Sequence, residues 1–149
     1  DAGADIDIET QQLRVRMNKR PKSIDMSTAI YPGFPTDLQA QWMALMTIAE
    51  GSCTVTDTIY TDRFTHIAEL ERLGAKIHLD NNVAHITGVN KLYGAQVMST
   101  DIRASASLVI AGLVSKAETE ISRIYHIDRG YENIEKKFSL INGRIKRLS

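Results

Sequence analysis

Two short stretches carry residue types suited to acid–base chemistry at positions that read as helix starts. They are Thr36-Asp37-Leu38-Gln39 and, 64 residues later, Thr100-Asp101-Ile102-Arg103. Thr at the N-cap with Gln three residues on makes the first a capping box. Asp37 then lies in the first turn, where free N–H groups and the helix dipole favour an anion. A carboxylate there is most often a structural first-turn residue, with acid–base work as the rival reading. Asp101, its repeat partner, carries the same two readings. Arg63, Arg103 and Arg129 each fall at a helix start or just past a strand end. A lone arginine is usually a solvated surface residue, but a forked guanidinium also suits carboxylates and phosphates.

Other candidates carry less. His66, His78, His85 and His126 lack metal-ligand spacing. Cys53, between Ser52 and Thr54 at a strand start, reads as a small structural residue. No Gly-rich phosphate loop occurs.

The elements that must position these residues follow from periodicity. Asp5 to Glu9 alternates, and a polar turn leads to Leu13–Met17, a hairpin signal. Ser23 to Ser27 alternates again, and residues 31–35 form a Pro- and Gly-bearing loop. A helix is predicted from Thr36 to about Glu50, stopped by Gly51. It is apolar nearly all round, so it should be enclosed. Cys53–Ile59 reads as a strand, His66–Leu73 as an amphipathic helix closed by Gly74, and Ala75–Leu79 with Val83–Thr87 as a hairpin. Gln96–Ser99 is a further strand, followed by a second enclosed helix through Val114 and a strand at Thr119–Ser122. A helix over Glu132–Leu140 and a strand over Arg144–Arg147 complete the pattern.

The pattern repeats. Thr58-Ile59-Tyr60 aligns with Arg123-Ile124-Tyr125, Asp62-Arg63 with Asp128-Arg129, and Leu73-Gly74-Ala75-Lys76-Ile77 with Ala2-Gly3-Ala4-Asp5-Ile6. The period of roughly 65 residues implies supersecondary units that share one core. Helices more apolar than the strands predict an α/β fold with helices inside and sheets outside. Units wrapped about one axis would bring the three arginines towards one end. The expected division is 1–30 for the end of a first unit with its hairpin, 31–94 for a second unit and 95–149 for a third.

Composition bounds the function. Among 149 residues, Lys+Arg and Asp+Glu are both 18, and 43% of residues are apolar. Zero net charge without a basic block makes no case for nucleic acid or an anionic membrane. The longest apolar stretch, Ala104–Val114, is about half a membrane span. One cysteine excludes an internal disulfide and fits a reducing compartment, so a cytoplasmic location is expected.

Three longer motifs resemble a known family. They are Phe34-Pro35-Thr36-Asp37-Leu38-Gln39-Ala40-Gln41, the run from Gly94 to Leu108, and Ile124-Tyr125-His126-Ile127-Asp128-Arg129-Gly130-Tyr131-Glu132. In this order they resemble the bacterial UDP-N-acetylglucosamine 1-carboxyvinyltransferases, of the enolpyruvyl transferase family, and the likeness covers their C-terminal part. The resemblance implies an inside-out barrel of repeated βαβαββ units, three to a domain, of which this chain would hold about two. It implies transfer of enolpyruvyl from phosphoenolpyruvate to the 3′-hydroxyl of UDP-N-acetylglucosamine, with release of phosphate. That is the first committed step of peptidoglycan synthesis, hence of cell-wall biogenesis, cell shape and division. No metal or organic cofactor is implied. Two shorter segments depart from the family pattern, Ala117-Glu118-Thr119 and Ile141-Asn142-Gly143, and both affect turns.

By the same resemblance, Asp37 is the general base for the sugar hydroxyl, and Arg63, Arg103 and Arg129 contact phosphoenolpyruvate and phosphate. Arg129 joins Asp37 as a catalytic residue. Asp101 lies towards the phosphoenolpyruvate end, and Ile59 meets the nucleotide sugar through its backbone. His126 orients its loop. The family's reactive cysteine belongs to a loop of the other domain, and its essential lysine lies near the N-terminus; neither is found here. Asp1 reads as a cut inside a domain, the missing N-terminal part is the expected partner, and the chain alone is expected to be inactive. Rival readings are a shikimate-pathway enolpyruvyl transferase or an RNA-phosphate cyclase of the same fold, against which the motifs argue, and a non-catalytic interaction domain.

Overall fold

The computed structural model describes residues 1–148; Ser149, the last residue of the expected third unit, lies outside them. A hairpin of β1 (Asp5–Ile8) and β2 (Leu13–Arg16) comes first, as the alternation predicts. β3 (Met26–Ser27) crosses through α1 (Gln39–Met46) to β4 (Ser52–Thr56), and the two strands pair in parallel. α2 (Ile67–Arg72) leads to the hairpin of β5 (Lys76–Asp80) and β6 (Val83–Thr87), which joins the same sheet in the order β3-β4-β6-β5. The second copy repeats the crossover. β7 (Gln96–Met98) passes through α3 (Ile102–Leu113) to β8 (Glu120–Ser122), again in parallel. α4 (Tyr125–Asp128), a short turn that periodicity does not signal, and α5 (Ile134–Leu140) follow.

The inside-out layering holds. α1 and α3, one from each crossover, pack on each other as the principal helix contact. Met43, Ala44 and Met46 of α1 lie in one core with Leu108 and Ala111 of α3 and Val55, Ala84 and Ile86 of the sheet. Small residues 104–107 of α3 are all buried, which lets the two helices approach closely. A smaller cluster, Val109, Ile127 and Ile134, roots α4 and α5.

Four local expectations are corrected. The capping box at Thr36 does not form. Pro35 leads into a 3-10 turn, Thr36–Leu38, without a side-chain cap, the Thr36 hydroxyl bonds elsewhere, and Gln39 turns into the core. α1 ends at Met46 rather than near Glu50, because 3-10 turns take over. Arg20 binds the freed carbonyls of Ile48 (2.6 Å) and Ala49 (3.0 Å), closing that end of the helix. Only Met26–Ser27 of the alternating 23–27 segment pairs as a strand, since the Asp25 carboxylate takes the Thr54 N–H at 2.7 Å. Residues 144–147 join no ladder among the described residues. Arg147 instead bonds Asp128 at 2.7 Å and Glu135 at 3.3 Å.

Candidate active site

The site grows from the loops that enter the two enclosed helices. Asp57, directly after β4, is fully buried and gathers four donors. Its Oδ1 accepts from the Thr28 hydroxyl (2.8 Å) and the N–H groups of Ile59 (3.0 Å) and Tyr60 (2.9 Å). Its Oδ2 accepts from the Thr36 hydroxyl at 2.6 Å. Burial pushes this carboxyl up, but the bonds from Thr36, Tyr60, Thr28 and Ile59 outweigh it and hold the group below its ordinary value. The backbone of Asp57 is tied as well, to Asn82 through two bonds of 3.0 Å.

From this hub the chain reaches Asp37. The Thr36 hydroxyl, having donated to Asp57, accepts from Arg63 Nη1 at 3.0 Å, and the same nitrogen lies 3.2 Å from Asp37 Oδ1. The Arg63 guanidinium rests on the Tyr60 ring, 3.9 Å from its centroid. Arg103, on α3, donates its Nε to the same Asp37 Oδ1 at 2.6 Å. Two arginines from two repeats thus share one carboxylate oxygen. Asp37 Oδ2 accepts no hydrogen bond among the described residues, and the side chain is 65% exposed. This exposed cluster adds little to stability; its worth is positional.

Asp101 aligns with Asp37 in sequence but differs in use. It is the N-cap of α3, its Oδ1 accepting from the N–H groups of Arg103 (2.8 Å) and Ala104 (3.1 Å). It thereby orients the residue that carries the second guanidinium. The Thr65 hydroxyl lies 3.4 Å from its Oδ2. Arg129, at the end of α4, is exposed, and its side chain makes no hydrogen bond or ion pair among the described residues. Its neighbour Gly130 places it: a Cβ there would lie 2.2 Å from Cδ1 of Ile102, so this backbone rests against the start of α3. Ile59 spends its N–H on Asp57, while its carbonyl accepts no hydrogen bond among the described residues.

The structure therefore joins Asp37, Arg63 and Arg103 in one bonded cluster. It seats Asp101 beneath Arg103 and brings the Arg129 backbone alongside. Sequence reasoning missed Asp57. Its signal was an Asp two residues before a turn amide, the pattern of an Asx turn. Cys53 is a buried residue of β4, where burial and the Asp25 charge raise its thiol, the inert kind of environment. His126 lies tilted against Tyr125, ring centroids 4.3 Å apart, with its Nε2 buried and unbonded among the described residues. Two cavities, of about 180 and 210 Å³, lie elsewhere, one against α5 and one between residues of β4 and β6.

Residues 1–138 match the model of the EPSP synthase (3-phosphoshikimate 1-carboxyvinyltransferase) family. The chain belongs to this family. A UDP-N-acetylglucosamine 1-carboxyvinyltransferase of Xanthobacter autotrophicus is 55% identical over 149 residues, covering 99% of this chain and 35% of that protein. The chain thus spans about a third of the length of that curated relative. Among solved structures, the enolpyruvyl transferase NikO from Streptomyces tendae matches with a TM-score of 0.87 at 24% identity, over 97% of this chain and 34% of its own. The EPSP synthase from Acinetobacter baumannii matches at 0.59 and 17% identity, over 80% of this chain and 30% of its own. These two likenesses establish the enolpyruvyl transferase fold, in agreement with the inside-out layering read from the repeats.

Proposed function

We propose that the chain forms part of an enolpyruvyl transferase that joins phosphoenolpyruvate to the 3′-hydroxyl of UDP-N-acetylglucosamine and releases phosphate. The observation that carries this reading is the Asp37 cluster. Arg63 and Arg103 occupy Oδ1 of Asp37 and leave Oδ2 for a hydroxyl. In the reaction the sugar oxygen takes the place of the phosphate oxygen on the enol carbon, and its proton must leave. Oδ2 is the group to orient that hydroxyl and receive the proton, with proximity doing much of the work. Arg63 and Arg103, and Arg129 beside them, match the carboxylate and phosphate of phosphoenolpyruvate by charge and by forked geometry. The Ile59 carbonyl, beside Tyr60, is free to meet the nucleotide sugar. The nucleotide sugar is favoured over a shikimate substrate because the 55%-identical relative bears that activity's name, whereas the EPSP synthase likeness at 17% identity speaks for the fold alone.

The division into 1–30, 31–94 and 95–149 belongs to this reading. Residues 31–94 and 95–149 are two successive units and 1–30 the end of another, in a cytoplasmic enzyme whose remaining part supplies the rest of the site. Phosphate release from the two substrates is the test. The isolated chain is expected to be inactive, and mixing with the complementary N-terminal part is expected to restore release. Asp37→Asn should abolish the restored activity. Turnover by the isolated chain would overturn its dependence on a partner. No recovery on mixing would favour the interaction-domain reading. Unchanged turnover and sugar binding in Asp37→Asn would remove Asp37 from the site.

A further inference from the structure

We infer that Asp57 is a positioning residue for the nucleotide sugar, acting through Thr36, Arg63 and the backbone of Ile59. This rests on the proposed function above and adds a residue to it. Asp57 is fully buried and reaches the site only through the Thr36 hydroxyl and the backbone of Ile59 and Tyr60. It decides how these groups are presented.

The argument lies in the direction of the hydrogen bonds. All four groups facing the Asp57 carboxylate are donors: two hydroxyls and two backbone N–H groups. A carboxylate accepts all four at once; a carboxamide cannot, because one of its two termini is itself a donor. With its proton committed to Asp57, the Thr36 hydroxyl shows only lone pairs to its other neighbour, Arg63 Nη1. Arg63 is therefore drawn to Thr36 and, with the same nitrogen, to Asp37 Oδ1. On the other side, the bonds from Ile59 and Tyr60 close a tight turn around the carboxylate. That turn leaves the Ile59 carbonyl unbonded and sets the Tyr60 ring under Arg63. One buried charge thus fixes a backbone acceptor, an aromatic face and a guanidinium in a single arrangement. The Ile59 carbonyl would hold the sugar equally in ground and transition states, so a shift of this turn should appear in KM for the sugar rather than in kcat.

Steady-state kinetics of the full-length enzyme carrying this sequence provides the test, with thermal melting alongside. Asp57→Asn and Thr36→Val should each raise KM for UDP-N-acetylglucosamine about tenfold or more, the scale of one lost charge-assisted hydrogen bond. Their kcat should stay within about threefold. Thr36→Ser, which keeps the hydroxyl, should stay within about twofold of the parent in KM. Thr36→Val keeps the test decisive if Asp57→Asn fails to fold. A lowered melting temperature with unchanged KM in both disabling variants would overturn the inference, leaving Asp57 a structural residue. Equal KM values for Thr36→Val and Thr36→Ser would do the same. The proposed function itself fails on a different result, no phosphate release from the two substrates by the parent full-length enzyme.

Discussion

At the residue scale, environment separates side chains that look alike on paper. Asp37 and Asp101 occupy matching places in two matching motifs, yet one faces two guanidiniums and the other caps a helix. Asp57, which no motif advertises, is the most heavily bonded carboxylate of the cluster. His66 shows the same lesson in its protonation. It is 2% exposed, stacked on Phe64, with Nε2 3.2 Å from the Met43 sulfur. Burial pushes its pKa down to about 4, with the Asp101 charge opposing only weakly. The folded state therefore holds a neutral imidazole where the unfolded chain, near 6.5, takes up a proton. Between those values the unfolded state binds more protons, so stability is full above pH 6.5 and falls as pH drops towards 4. The loss is of the order of 3 kcal/mol across that window. Urea unfolding from pH 4.5 to 7 should show the slope, and His66→Phe should flatten it.

At the element scale, the crossover helices are held by their ends. Arg20 closes the C-terminus of α1 by binding carbonyls, and Asp101 opens α3 by accepting amides. The Asp101 cap bears on function because Arg103 is the first residue past Ile102 and its own amide is one of those bound. Asp101→Ala should cost about 1–2 kcal/mol of stability, measured by thermal or chemical unfolding. Asp101→Asn, which keeps an acceptor oxygen, should cost less. A loss in Asp101→Ala no larger than in Asp101→Asn would mean that the cap does not hold α3.

At the scale of the whole molecule, the two hairpins invite comparison. Ile6 pairs across to Val15 and Ile77 across to Ile86, at equivalent places in the repeat. Ile77 and Ile86 are 9% and 1% exposed, under α2 and the core; Ile6 and Val15 are 56% and 55% exposed. With Ile8 and Leu13 they make a continuous apolar face on β1–β2. Exposed apolar strand faces promote association. The chain on its own should bind a hydrophobic dye and self-associate in sedimentation. Ile8→Lys with Leu13→Lys should lower both while leaving the far-UV circular dichroism unchanged. Dye binding untouched by that pair would place the apolar surface elsewhere.

Local sequence determined what local physics controls. Alternation marked the hairpins, all-round apolarity marked the two enclosed helices, and the repeat revealed that one architecture is used twice. The motifs marked Asp37, Arg63 and Arg103, which the fold does bring together. Tertiary structure decided which partner each polar group takes. Thr36 has the sequence of a capping residue, but a buried carboxylate 21 positions away competes better for its hydroxyl than a local amide does. Residues 144–147 have the composition of a strand, but a strand exists only where a neighbour completes its ladder. Asp57 became a hub only because four donors from three chain segments converge on it. Periodicity reports which face of an element is apolar. It carries no information on which distant donor will meet which acceptor, and the candidate site is built from that pairing.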